Sequence, residues 1–202
     1  MRVGVLASGA GTNLQALIDR AHRRDGVQVV AVASDRPQAP ALVRAREAGI
    51  ECEVFARSDF ADRRARDLAI VRWLRTAGVE LVALAGYMQL LSPEFLDAFP
   101  DRVINVHPAL LPAFPGLDAV QQALDYGVKV FGVTVHFVDC GVDTGPVILQ
   151  RAIELPHARG VDDVLDHLHE IEHRLLPEAV SLIARGAVAF DPANPRRVVI
   201  DR

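Results

Sequence analysis

Apolar residues follow two alternating rhythms along this chain. Short runs rich in Val, Ile, Leu and Ala occupy residues 3–7, 27–33, 51–55, 81–84 and 103–106, with the length and composition of buried strands. Between the first four runs the apolar positions fall three and four apart, over 13–23, 41–48 and 61–77, which predicts helices. Gly49 and Gly78 stand where C-terminal caps of the second and third helices belong. This alternation predicts an α/β fold: a doubly wound, mostly parallel sheet with helices on both faces, in a single domain.

The second half changes rhythm. Two long apolar runs, 130–138 and 147–153, are separated only by "DCGVDTG" and its flanks, too few residues for a crossover helix. A hairpin or a long loop is therefore expected between them. A final helix over 161–185 places Val164, Leu168, Ile171, Leu175 and Leu176 on one face, and Pro177 is expected to kink or split it.

Composition narrows the function classes. The 202 residues are 50% hydrophobic with a formal net charge of -4, so neither disorder nor a strong electrostatic partner is implied, and no nucleic-acid or membrane partner is expected. A chain of this size buries roughly 70% of the surface its unfolded form exposes. Lys129 is the single lysine, a bias of base composition more than of function. Cys52 and Cys140 have no metal-ligand spacing and form no disulfide framework, which fits a reducing cytoplasm. The first apolar run is too short for a secretory signal.

Three stretches carry candidate chemistry. "ASGAGTN", residues 7–13, joins the first strand to the first helix, where backbone N–H groups and the helix dipole favour an anion. The third glycine of a dinucleotide fingerprint is missing, since Leu14 takes its place, although Asp35 after the second strand could serve as the ribose-binding acid. A phosphate monoester fits better than a nicotinamide cofactor, and a plain tight turn is the bland alternative. "HEIEH", His169 to His173, matches the H-E-x-x-H zinc-protease pattern. No histidine follows His173 to supply a third protein ligand, and the intervening apolar residues commit the helix to the core. Solvated polar residues on an amphipathic helix are the expected reading, with no metal.

The third stretch is "NVHPALLPAFPG", 105–116. Asn105 and His107 are two apart on one strand and so share a side, at the carboxyl end where reactive groups of parallel sheets collect. If Asp143 of the "DCGVDTG" loop folds over His107, the trio becomes a charge-stabilised imidazolium beside an amide donor. Such a trio suits acyl transfer to an amine, with Asn105 and His107 stabilising the oxyanion and Asp143 helping to relay the proton. No G-x-S-x-G nucleophile is present, so direct attack by the amine is the simpler scheme.

Taken together, "SGAGTN", "LAGYMQLLSPEFL", "INVHPALLPAFPGL", "GVTVHFVDCGVDTGPVI" and "IEH" resemble the folate-dependent glycinamide ribonucleotide formyltransferases, with the spacing between motifs kept from residue 3 to about 177. The resemblance implies a Rossmann-like formyltransferase fold, with 1–100 as a nucleotide-binding half and 101–202 as a folate-binding and catalytic half. It implies 10-formyltetrahydrofolate as co-substrate, no metal, and a monomer or homodimer in the cytoplasm acting on small molecules. Asn105, His107 and Asp143 match the family's catalytic trio. Gly11, Thr12 and Asn13 match its phosphate-holding segment, and Glu172, with His169, Glu170 and Ile171, falls where the family contacts the ribonucleotide. Met88, Gln89, Leu90 and Leu91, together with Asp139, Cys140, Gly141, Val142 and Asp143, match the folate-lining segments, to which Asn105 and Arg63 are added. Gln89 stands where the family often has arginine, and Asp118 and Val120 where it often has histidine. A formyltetrahydrofolate deformylase and a nucleotide-binding dehydrogenase or sensor are the rival readings. The deformylases resemble this fold with an added N-terminal domain, whereas the first strand here begins at Arg2.

Overall fold

The computed structural model describes residues 1–201, and the chain packs as two units, Met1–Asn105 and Val106–Arg202. The first unit carries strands β1 (Arg2–Leu6), β2 (Gln28–Ser34), β3 (Glu51–Val54), β4 (Leu81–Leu84) and the start of β5 (Val103–His107). Their order is β3-β2-β1-β4-β5, and each of the pairings is parallel. β1 and β4 are flanked by strands on both sides and are almost wholly buried. That explains why they read as continuous apolar runs and show no alternation. Helices α1 (Thr12–Arg20), α2 (Pro40–Glu47), α3 (Arg63–Thr76) and α4 (Pro93–Ala98) connect them, with a 3-10 turn at Arg57–Asp59.

Caps fix the helix starts. Asp62 accepts the Ala65 N–H at 2.7 Å ahead of α3, and Ser92 accepts the Phe95 N–H at 3.4 Å ahead of α4, whose first residue is Pro93. The hydrophobic rhythm missed α4 because six residues hold barely two turns. Its signal was the Ser-Pro-Glu start.

The second unit is built on β6 (Val130–Phe137) and β7 (Val147–Glu154), an antiparallel hairpin with Val130 opposite Glu154 and Val135 opposite Leu149. The expected hairpin is thus present. Its register shifts between Val135 and His136, a bulge of the kind that re-aims a side chain beside a site. Helix α5 (Ala119–Tyr126) precedes β6, and α6 (Val161–Ala184) follows β7. Two further strands, β8 (Val188–Asp191) and β9 (Asn194–Ile200), pair antiparallel, and β9 meets β7 in parallel at Val147 and Arg197.

Two expectations about α6 need correction. The helix runs unbroken through Pro177, which is buried with Leu175, Leu176, Ala179 and Val180. Core packing on both sides of the proline outweighs the lost backbone hydrogen bond. Nor is "HEIEH" uniformly solvated, since Glu172 is 5% exposed while Glu170 lies open to solvent. Among the described residues no helix is long and apolar enough to cross a membrane.

Candidate active site

In the first unit, the glycine loop is shaped by its surroundings at every residue. The Ser8 N–H donates to the Gly86 carbonyl at 3.0 Å, and the Ser8 hydroxyl accepts the Met88 N–H at 2.9 Å. The Gly9 carbonyl accepts the Ala41 N–H at 3.2 Å, and the Ala10 carbonyl accepts Arg44 Nε at 2.9 Å. Gly11 has φ 73°, and a Cβ there would lie 2.6 Å from Ala41 Cα. Only glycine fits both demands. With the Gly9 and Ala10 carbonyls turned toward α2, the loop leads into the first turn of α1, whose N–H groups have no acceptor within the helix. That is anion-binding geometry.

The segment Met88 to Leu91 is held from behind. Arg66 and Asp67, 2% and 0% exposed, form an ion pair at 2.8 Å. Asp67 Oδ2 accepts the Ser92 N–H at 2.6 Å, while Arg66 donates to Gln89 Oε1 at 3.1 Å and to the Leu90 carbonyl at 3.4 Å. Gln89 Nε2 donates in turn to Asp35 Oδ2 at 3.0 Å. The Gln89 amide is therefore engaged at both ends, and Asp35 serves this network. Burial pushes the Tyr87 phenol far above its ordinary value, with Arg66 opposing and Asp67 and Asp35 adding to the rise. On the outside of the same segment Met88 and Leu90 are exposed, a fixed backbone displaying apolar side chains. Arg63, first residue of α3, is exposed.

In the second unit, β5 ends at His107, which is buried. Asn105 precedes it by two residues on the same strand and shares its side. His107 Nε2 lies 2.9 Å from the Phe114 carbonyl, and Nδ1 lies 3.4 Å from Asp143 Oδ2. Both ring nitrogens face oxygen acceptors. Asp143 Oδ2 also accepts the Gly116 N–H at 2.8 Å. Its Oδ1 faces His136 Nε2 at 3.5 Å, and His136 Nδ1 is tied to the Phe137 carbonyl at 2.8 Å. Partial burial pushes the Asp143 carboxyl up. The hydrogen bond from His136, the Gly116 N–H and the charges of His107 and His136 outweigh that push and hold it below the usual carboxylate value.

His136 is the residue that sequence reasoning missed. It sits 1% exposed inside β6, two positions after Thr134, and nothing in a strand's apolar run distinguishes a core histidine from one facing a carboxylate. Thr134 is likewise functional in positioning. Its hydroxyl donates to the Ala109 carbonyl at 2.6 Å and accepts from Leu111 N at 3.1 Å. Gln150 Nε2 adds a bond to the Leu111 carbonyl at 2.8 Å. These bonds anchor the start of the proline-rich segment 108–116, which contains a cis Leu111–Pro112 bond.

Within the loop joining β6 and β7, Asp139 Oδ1 accepts both the Gly141 N–H at 3.0 Å and the Thr144 hydroxyl at 2.6 Å. A Cβ on Gly145 would collide with the Phe137 carbonyl oxygen, so the loop closes only with glycine there. Cys140 and Val142 are exposed. On α6 the rings of His169 and His173 stack 6.1 Å apart, and among the described residues no group of His, Cys, Asp and Glu is arranged to hold a metal.

A carboxylate thus lies against an imidazole at the end of a strand, on an α/β fold with a mostly parallel sheet, an arrangement suited to proton transfer and to stabilising developing negative charge. The chain belongs to the formyl transferase family, whose domain matches residues 1–180. It is 41% identical to the phosphoribosylglycinamide formyltransferase of Bacillus subtilis over 180 residues, which cover 89% of this chain and 92% of that protein. It is 43% identical over 196 residues to the trifunctional purine biosynthetic protein adenosine-3 of Drosophila melanogaster, covering 95% of this chain but only 14% of that longer protein. Among solved structures, glycinamide ribonucleotide transformylase 1 from Symbiobacterium toebii superposes with a TM-score of 0.94 at 47% identity, covering all of this chain and 94% of that one.

Proposed function

We propose that this enzyme transfers the formyl group of 10-formyltetrahydrofolate to the glycine amine of phosphoribosylglycinamide, a step of purine synthesis. The observation that carries the chemistry is the approach of Asp143 Oδ2 to His107 Nδ1 at 3.4 Å, with the same oxygen bound to the Gly116 N–H. The amine attacks the formyl carbon directly, and the carbonyl oxygen becomes an oxyanion. Asn105 and the His107 imidazolium stabilise it, each such donor being worth about 10² to 10³ in rate. The His107 imidazolium gives its proton to N10 of the folate as the bond from N10 to the formyl carbon breaks, and the neutral imidazole then takes up the proton released by the attacking amine.

The Phe114 carbonyl lies 2.9 Å from His107 Nε2. In this mechanism the oxyanion takes that acceptor's place. The ribonucleotide phosphate is assigned to the backbone of Gly11, Thr12 and Asn13, and the ribose hydroxyls to Glu172 with His169, Glu170 and Ile171. The pterin is assigned to Met88, Leu90, Leu91 and the loop from Asp139 to Asp143. Arg63 is assigned to an anionic group of the substrate, whereas Gln89 acts by holding its segment. A cytoplasmic location is part of this reading, supported by two free cysteines, Cys52 and Cys140.

Incubating the protein with 10-formyltetrahydrofolate, alone and with each candidate amine, tests the reading. Formylated glycinamide ribonucleotide is expected, with no turnover of the folate alone. Formate released without any amine identifies a deformylase and overturns the proposal.

A further inference from the structure

The family match ends at residue 180, yet the strands beyond it touch the loop that carries Asp143 at one place and the residues that flank it at two. Phe190 of β8 packs its ring on Phe137, the last residue of β6, with centroids 4.9 Å apart. Arg197 of β9 pairs with Val147, the first residue of β7. Between these two anchors Arg196 Nη2 donates to the Thr144 carbonyl at 2.7 Å. Arg197 is also paired with Asp191 at 3.5 Å, which ties the two strands of the hairpin together. The hairpin thus grips the residue before the loop, the residue after it, and the residue next to Asp143.

We propose that the β8–β9 hairpin is a clasp that holds the Asp143 loop in catalytic geometry, with Arg196 as its positioning residue. The need for a clasp is local. Asp143 has φ 52°, a left-handed conformation that is uncommon outside glycine, and although aspartate tolerates it better than most residues, its neighbours decide how firmly it is kept. Thr144 is the enforcing neighbour, since its hydroxyl donates to Asp139 and its carbonyl accepts from Arg196. The first bond closes the loop on itself. The second ties it to an element outside, through a charged donor, which is the stronger kind. Without Arg196 the 144–145 peptide is freer to turn, the chain just after Asp143 loosens with it, and the carboxylate spends less time against His107.

This inference rests on the assignment of Asp143 to catalysis, and its test separates the two. Arg196→Met keeps the aliphatic stem and removes the donors; Arg196→Lys retains a donor and the charge. Amide exchange in 138–146 of the ligand-free protein reads the clasp whatever Asp143 does. Exchange there is expected to rise about three- to tenfold in Arg196→Met, in line with one lost charge-assisted bond. Turnover should fall by a similar factor, with KM for the ribonucleotide unchanged and both effects largely reversed in Arg196→Lys. Wild-type exchange in Arg196→Met overturns the clasp, and so does faster exchange with undiminished kcat while Asp143→Asn is inactive. Wild-type turnover in Asp143→Asn instead overturns the catalytic assignment on which the clasp rests.

Discussion

The loop at Gly9 to Gly11 and the loop at Asp139 to Gly145 are both short and glycine-rich, and both follow a buried strand, but they are held by different means. The first is fixed mainly by main-chain hydrogen bonds and by the pressure of Ala41 on Gly11. The second is fixed by side chains, with Asp139 binding Thr144 within it and His136 and Arg196 reaching it from β6 and β9. A loop that presents backbone N–H groups to a phosphate needs only its shape. A loop that must deliver one carboxylate to one imidazole needs its side chains placed individually, so its supports come from distant parts of the chain.

The largest effect should come from the second loop. On the proposed mechanism His107→Ala and Asp143→Asn each remove a group required in the transition state, so kcat should drop by at least about 10² with the fold retained. Steady-state kinetics beside a thermal melt checks both, and undiminished turnover in either variant defeats the role given to it. The first loop should answer differently. Gly11→Ala places a Cβ 2.6 Å from Ala41 Cα at φ 73°, forcing the loop off α2. KM for the ribonucleotide should rise about tenfold, with a loss of about 1–3 kcal/mol in stability from backbone strain. A Gly11→Ala enzyme with wild-type KM would show that the phosphate is held elsewhere.

The same contrast explains what was legible in the sequence. The parallel strands β1, β2, β4 and β5 were readable because burial on both faces leaves apolar runs. The glycine loop was readable because shape is written in glycine. Asn105, His107 and Asp143 could be nominated from position and chemistry, and the structure brings His107 and Asp143 to 3.4 Å. His136 was invisible because its role depends on the bulge at Val135 and on Asp143 arriving from seven residues away. α5 was missed for a related reason: it starts from Asp118 at φ 55° without a side-chain cap. The β8–β9 hairpin lacked the alternation of a half-buried strand, since most of β9 is exposed. The continuity of α6 through Pro177 was decided by tertiary packing, which no local rule contains.

The smallest effect expected is also the most diagnostic of how the second loop works. Half-burial alone would raise the Asp143 carboxyl, but the bond from His136 leads the lowering contributions, ahead of the Gly116 N–H and the charge of His107. Because the folded value is depressed, the carboxylate persists as pH falls through the ordinary carboxylate range. The stability it contributes is present in full above the unfolded value and is lost progressively as pH drops from there through the folded value. The acid limb of kcat that belongs to Asp143 should therefore lie below the usual carboxylate value in the wild type. In His136→Asn the leading lowering contribution and its charge are gone while burial is unchanged, so that limb moves upward. The shift should be accompanied by at most a severalfold loss of kcat at neutral pH, where Asp143 remains ionised and still faces His107. A pH profile of kcat for the two proteins decides the matter. An acid limb that does not move would mean that His136 supports the strand and leaves the carboxylate to Gly116 and His107. The second loop would then depend on fewer side chains than its geometry indicates.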